Sequence, residues 1–288
     1  MGSNAAEHHA PFLDTIRYAL ETRIEQGDLK LPVLSAAVQQ VIAMTNSEDV
    51  SAAQISAVIH GDQSLAGHIL RVANSPFYLP SVQVVSLQQA IARLGQVAIS
   101  EIAVSLAVKG MSFNIKGFED EVRCLWKHAA VAGGFSREIA RQLRQSVESA
   151  FLCGLLQNVG KPVILQTVRD LEAELAITLE HDDILLLMEE YHPQVGSRLS
   201  GVWCLPDVVS ETIYYHHDYD NSPSFGAEAR MVALSDLLAQ TLIDDPGEDA
   251  WEAVTKHPAF GEINMYPDDV AVVLARRDEI REMAEAWS

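Results

Sequence analysis

Ten histidines lie among the 288 residues. A subset of them stands in an order that could build one catalytic centre: His128, His192, the adjacent His216 and His217, and then Asp236. Neutral imidazoles and ionised carboxylates are the donors that hold divalent ions. A hydrolytic centre needs several of them, brought from different helices to one point, with a coordination position left open. Each residue also has an ordinary reading. A lone histidine on an amphipathic helix is commonly a hydrogen-bonded boundary residue. On a continuous helix His216 and His217 point about 100° apart, so only one of them can face inward. Asp236 could instead pair with Arg230 or another local base. No Gly-rich phosphate loop, Gly-x-Ser-x-Gly elbow or Walker lysine is found.

Between the first and second of these histidines runs Phe-Leu-Cys-Gly-Leu-Leu-Gln-Asn-Val-Gly-Lys, residues 151–161. This segment resembles the central motif of the HD superfamily of metal-dependent phosphohydrolases. The resemblance implies a metal-binding His-Asp pair between the Gly-Leu-Leu and the Gly-Lys; here Gln157 and Asn158 stand there. It also implies a first ligand at His128, within Leu125-Trp-Lys-His128, further histidines at 192, 216 and 217, and a closing ligand at Asp236. Lys161 matches a lysine that can face a substrate phosphate, so it is a possible anion-binding residue; its ordinary reading is a surface lysine at a helix end. Asn158 offers at best a neutral carbonyl, and Gln157 a longer and poorer donor than imidazole. Even outer-shell changes cost about 10–100-fold in metal affinity, so losing two ligands argues against efficient hydrolysis. The literal dipeptides His181-Asp182 and His217-Asp218 lie outside this frame and do not restore it.

The front half resembles the HDOD domain, the HD-related output domain of bacterial signalling proteins. Leu31-Pro-Val-Leu34, Asp62-Gln-Ser-Leu65, Ile69-Leu-Arg-Val-Ala-Asn-Ser75 and Ala90-Ile-Ala-Arg-Leu-Gly95 carry the likeness, which covers roughly residues 20 to 220. It implies an all-helical fold and a signal-transduction role with no agreed catalytic activity. The expectation is a non-catalytic module with a degenerate metal site and no cofactor, whose cleft receives a signalling protein partner or a small ligand. The alternative is a metal-dependent phosphohydrolase using Mg, Mn, Fe or Zn on His128, His192, His216, His217 and Asp236.

These residues must be held by helices, and helical periodicity dominates the chain. The fold class is all-α: a multi-helix bundle, with an HD-like helical core and an N-terminal helical subdomain. Phe12 to Ile24 has helical spacing up to Gly27. Val33 to Met44 follows, with Pro32 at its first turn, and Ser51 opens a capping box with Gln54. Val82 to Val85 is the one plausible strand. Ser149 to Val159 reads as a helix ended by Gly160 and Pro162. Later helices are expected over Asp183 to Tyr191, Pro206 to His216 and Phe225 to Ile243. Residues 1–114 form the N-terminal subdomain, 115–243 the degenerate HD-like subdomain, and 244–288 an acidic loop with a C-terminal helix, Asp268 to Trp287, packed on its own chain.

Forty acidic against twenty basic residues give a formal charge of −20, which repels nucleic acid and anionic membranes. Arg137, Arg141 and Arg144 read as a solvated helix face. Cys124, Cys153 and Cys204 lack metal or disulfide spacing and are expected as buried free thiols in a reducing compartment. No stretch is apolar and long enough to span a bilayer. A cytoplasmic protein binding neither nucleic acid nor membrane is expected.

Overall fold

The computed structural model describes residues 6–45, 47, 50–74, 83–110, 115–244 and 247–287. Every element among them is helical, as the periodicity predicts. The front of the chain forms α1 (Ala6–Gln26), α2 (Ala36–Thr45), α3 (Ala52–His60), α4 (Gln63–Ala73), α5 (Leu87–Leu94) and α6 (Gln96–Gly110), and α2 to α6 pack on one another. Local chemistry sets their ends. Ser51 and Gln54 make the reciprocal capping box, at 2.9 and 3.4 Å. Asp62 Oδ1 accepts from the Leu65 amide at 3.0 Å. Such caps stabilise a helix by about 1 kcal/mol each. α2 begins three residues later than expected because the Ser35 hydroxyl accepts from the Val38 amide and starts the helix there.

Residues 83–85 form no strand, contrary to expectation; Val82 lies outside the described residues. Val84 finds its partners in a side chain instead of a neighbouring strand. The Asn74 carboxamide accepts from the Val84 amide and donates to its carbonyl, both at 2.9 Å. Asn74 therefore ends α4 and pins the following segment. Gly95, at φ +85°, makes the α5–α6 junction, a conformation that side chains disfavour.

The second group comprises α7 (Glu119–Leu143), α8 (Val147–Leu156), α9 (Gly160–Leu175), α10 (His181–Val202), α11 (Asp207–Tyr215) and α12 (Gly226–Asp244). α7 is its axis, contacting α8 and α12, and it is buried continuously from Ala129 to Ala140. Arg137 on α7 is not solvated as expected. It is buried, donates to Glu101 of α6 at 3.0 Å, and lies 4.0 Å from the Phe151 ring centroid. α1 packs on α9 and α10. Arg17–Glu190, Arg23–Glu174 and Lys30–Asp170 pairs hold that face, and the Tyr191 hydroxyl donates to Glu21.

Where the acidic loop was expected to open residues 244–288, α12 ends at Asp244 and α13 (Glu248–Thr255) begins, with residues 245–246 outside the description. α14 (Pro258–Glu262) follows, and the expected helix from Asp268 to Trp287 is two, α15 (Pro267–Leu274) and α16 (Arg277–Trp287). α16 packs on its own chain: Ile280, Met283 and Ala284 are buried, and α16 lies against α7. A Cβ on Gly134 would sit 2.8 Å from Ile280 Cγ2, so glycine permits that approach. Only Cys153 is a buried thiol; Cys124 and Cys204 are exposed, because each lies on a surface edge that apolar sequence neighbours do not reveal. No single described helix is long and apolar enough to cross a membrane.

Candidate metal centre and adjoining cleft

Gln157 and Asn158 occupy a turn, residues 157–159, between α8 and α9. Gly160 opens α9 and does not close the preceding helix. A Cβ there would lie 2.2 Å from the His192 carbonyl oxygen and 2.8 Å from the Gly196 amide nitrogen. Glycine is therefore required for this turn to press against α10. Pro162 falls in the first turn of α9, where a missing N–H breaks no helical hydrogen bond. The Gly-Lys-Pro sequence is a helix start.

The amide pair faces Asp236 of α12. Asp236 Oδ1 receives Gln157 Nε2 at 2.6 Å, His128 Nε2 at 2.8 Å and Asn158 Nδ2 at 3.4 Å. Burial alone would raise the Asp236 pKa. Hydrogen bonding and charge from His128 outweigh it, with smaller help from His216 and Lys161, and hold it down at about 2. The carboxylate is thus ionised at neutral pH, and both amides must turn their NH2 groups toward it. Their oxygens, Gln157 Oε1 and Asn158 Oδ1, are consequently buried without a hydrogen-bond donor among the described residues. This half of the centre does not fit a hard divalent cation. Asp236 Oδ1 already accepts three donors, and the two amides that flank it bring no charge to an ion.

The remaining histidines converge separately. His192 Nε2 lies 3.3 Å from both His216 Nε2 and His217 Nε2, and the three ligand atoms all fall within 4.8 Å of one another. His192 and His216 are buried; His217 is exposed. Both adjacent histidines reach the cluster, contrary to the helical expectation, because α11 ends at Tyr215 and they lie in the turn beyond it.

Their orientation is built into the backbone. α10 continues through Pro193, which has no N–H to offer the Glu189 carbonyl four residues earlier. His192 Nδ1 donates to that carbonyl at 2.8 Å, so its Nε2 lone pair points inward. His216 Nδ1 likewise donates to the Ile213 carbonyl at 2.8 Å, at a helix end where carbonyls lack partners. Burial, reinforced by neighbouring positive charge, pushes both imidazoles down to about pKa 3. They are neutral, with backbone-anchored Nδ1–H groups, as metal-ligating histidines are. Tetrahedral zinc–imidazole bonds of about 2.0–2.1 Å place the nitrogens roughly 3.3–3.4 Å apart. The two separations from His192 match that spacing, so this donor set suits a borderline ion such as zinc or iron.

Beside Asn158 opens a cleft of about 480 Å³ that also includes His128, Lys161, Glu189 and Asp236. Lys161 is not a surface lysine: its side chain is 14% exposed, and it pairs with Glu189 at 2.5 Å. An incoming anion would have to displace that carboxylate. The structure therefore brings the sequence-predicted residues to two adjoining places, His128, Gln157, Asn158 and Asp236 at one, and His192, His216 and His217 at the other. Sequence reasoning missed Glu189 and the purpose of Pro193. A His-Pro step inside a helical pattern was the signal for the latter.

Comparison with known proteins agrees with this architecture. The chain matches a structure of an HDOD domain protein from Geobacter sulfurreducens with a TM-score of 0.70, at 24% identity, covering 93% of this chain and 97% of that one. A structure from Shewanella amazonensis SB2B, assigned by name to the phosphohydrolases, gives 0.72 at 20% identity, covering 94% and 98%. A protein of Treponema pallidum (strain Nichols) is 24% identical over 202 residues, 67% of this chain but 39% of its own length. At these identities the structures establish the fold. The family model for the HDOD domain matches residues 31–219, and the chain belongs to the HDOD domain family.

Proposed function

We propose that the protein is a non-catalytic signal-transduction module of the bacterial cytoplasm, whose cleft beside Asn158 receives a protein partner or a small ligand. The observation that carries this reading is the closure of Gln157 and Asn158 on Asp236. Three donors on Asp236 Oδ1 occupy the oxygen through which an ion could otherwise be held. The test is hydrolysis of phosphate monoesters and nucleotides by chelator-free protein, with Mg²⁺, Mn²⁺, Fe²⁺ or Zn²⁺ added in turn. No turnover above background is expected. Turnover that disappears in His128→Ala overturns the reading.

The convergence of His192, His216 and His217 favours a second reading, a phosphohydrolase with an altered metal site. An ion held there would supply Lewis acidity for a phosphate ester. His217, the exposed member, leaves the site open to solvent on one side. Hydrolysis lost in His192→Ala but kept in His128→Ala would support this reading over the first.

A further inference from the structure

We propose that Lys161 weakens ion binding by the His192, His216 and His217 triad, and that Glu189 moderates this effect through its pair with Lys161. This rests on the reading of the triad as an ion site and names what tunes that site. Three neutral imidazoles bring no negative charge, so nothing in the triad offsets the charge of a divalent ion. A fixed cation held nearby opposes that ion directly.

Lys161 is such a cation. It follows Gly160, whose missing side chain lets the start of α9 press on the His192 carbonyl. Glu189 then serves both places. Its carboxylate pairs with the Lys161 ammonium at 2.5 Å, and its carbonyl accepts from His192 Nδ1 at 2.8 Å. The ammonium is thereby tied to α10 about one turn before the imidazole. The two charges of the pair do not cancel. The Lys161 side chain is 14% exposed and that of Glu189 is 57% exposed, so solvent screens the carboxylate more than the ammonium. The electrostatics at His192 agree: burial is the main reason its imidazole stays neutral, and the Lys161 charge comes next.

The test is Zn²⁺ titration of the chelator-treated full chain in competition with a chromogenic chelator. Lys161→Met keeps the methylene stem and removes the charge, and it should bind zinc about tenfold more tightly than the parent. Lys161→Arg keeps the charge and should stay near the parent. Glu189→Gln should bind about tenfold more weakly, because the ammonium loses its neutralising partner. Lys256→Met, at a surface lysine on α13, should not differ from the parent. If Lys161→Met does not fold, Glu189→Gln decides the matter, since its exposed side chain can change without repacking the core. Unchanged zinc affinity in Lys161→Met overturns the proposal and leaves the ion site standing, provided His192→Ala loses the zinc. Equal tightening in Lys161→Arg would report repacking, and equal tightening in Lys256→Met would report the net charge of an acidic protein; either overturns it. Zinc bound by no variant, or retained by His192→Ala, removes the ion site and the proposal together.

Discussion

Gln157 Nε2 lies 2.6 Å from Asp236 Oδ1, and this contact decides what the turn at Gln157 and Asn158 can do. An amide that donates to the carboxylate cannot also offer its oxygen in the same direction. Asp236→Ala would remove the acceptor shared by three donors. The expected destabilisation is about 1–3 kcal/mol, the usual cost of orphaned buried polar groups. Urea unfolding measures it, and a change below about 0.5 kcal/mol would show that the network is not closed as described.

Gly160 is a packing requirement. Gly160→Ala places a methyl 2.2 Å from the His192 carbonyl oxygen, so α9 and α10 must separate. Overpacking of this kind costs about 1–3 kcal/mol. Thermal unfolding should show a clear loss for Gly160→Ala, and little change for Gly201→Ala, where a Cβ meets nothing within 4 Å.

His192 and His216 set an acid limit on metal-free protein. Their folded pKa values are pushed down to about 3, against an ordinary value of about 6.5 in the unfolded chain. Below the ordinary value the unfolded state binds more protons, so stability is fully present above about pH 6.5 and is lost as pH falls toward 3. Chelator-treated protein should show this loss in unfolding experiments stepped from pH 7 to 4. His192→Gln should flatten the pH dependence, because its amide does not titrate; an unchanged slope would contradict the assignment.

The three thiols should divide two to one. Cys124 and Cys204 are exposed and Cys153 is buried, its thiol pushed up to about pKa 12 by desolvation. A disulfide reagent at pH 8 is expected to modify two thiols in the native protein and the third only after unfolding, since the thiolate is the reactive form. Rapid modification of all three in folded protein would place Cys153 elsewhere.

Much of this was legible in residue types. The order of His128, His192, His216, His217 and Asp236 pointed to a single centre because few other side chains hold ions, whereas the structure divides them between two adjoining clusters; Ser51 and Asp62 announced their helices by capping chemistry. The arrangement within the site was not legible. Pro162 read as a breaker, yet it lies in the first turn of α9, and Pro193 inside α10 frees a carbonyl for His192. The turn after Tyr215 lets both adjacent histidines reach the cluster. Lys161 and Glu189 lie 28 positions apart and meet only through the packing of α9 on α10. Val84 takes strand-like bonds from a side chain, which no alternation of apolar residues encodes.

The most direct measurement is Mn²⁺ titration, followed by the electron paramagnetic resonance of the free ion, for the parent and for the double substitution Gln157→His with Asn158→Asp. Mn²⁺ suits a mixed imidazole and carboxylate site more than three imidazoles. The parent should leave the ion free, and the double variant should bind one equivalent, at least about 100-fold more tightly. Stoichiometric Mn²⁺ on the parent, lost in His128→Ala, would contradict a site closed by its amides. So would a folded double variant that binds none.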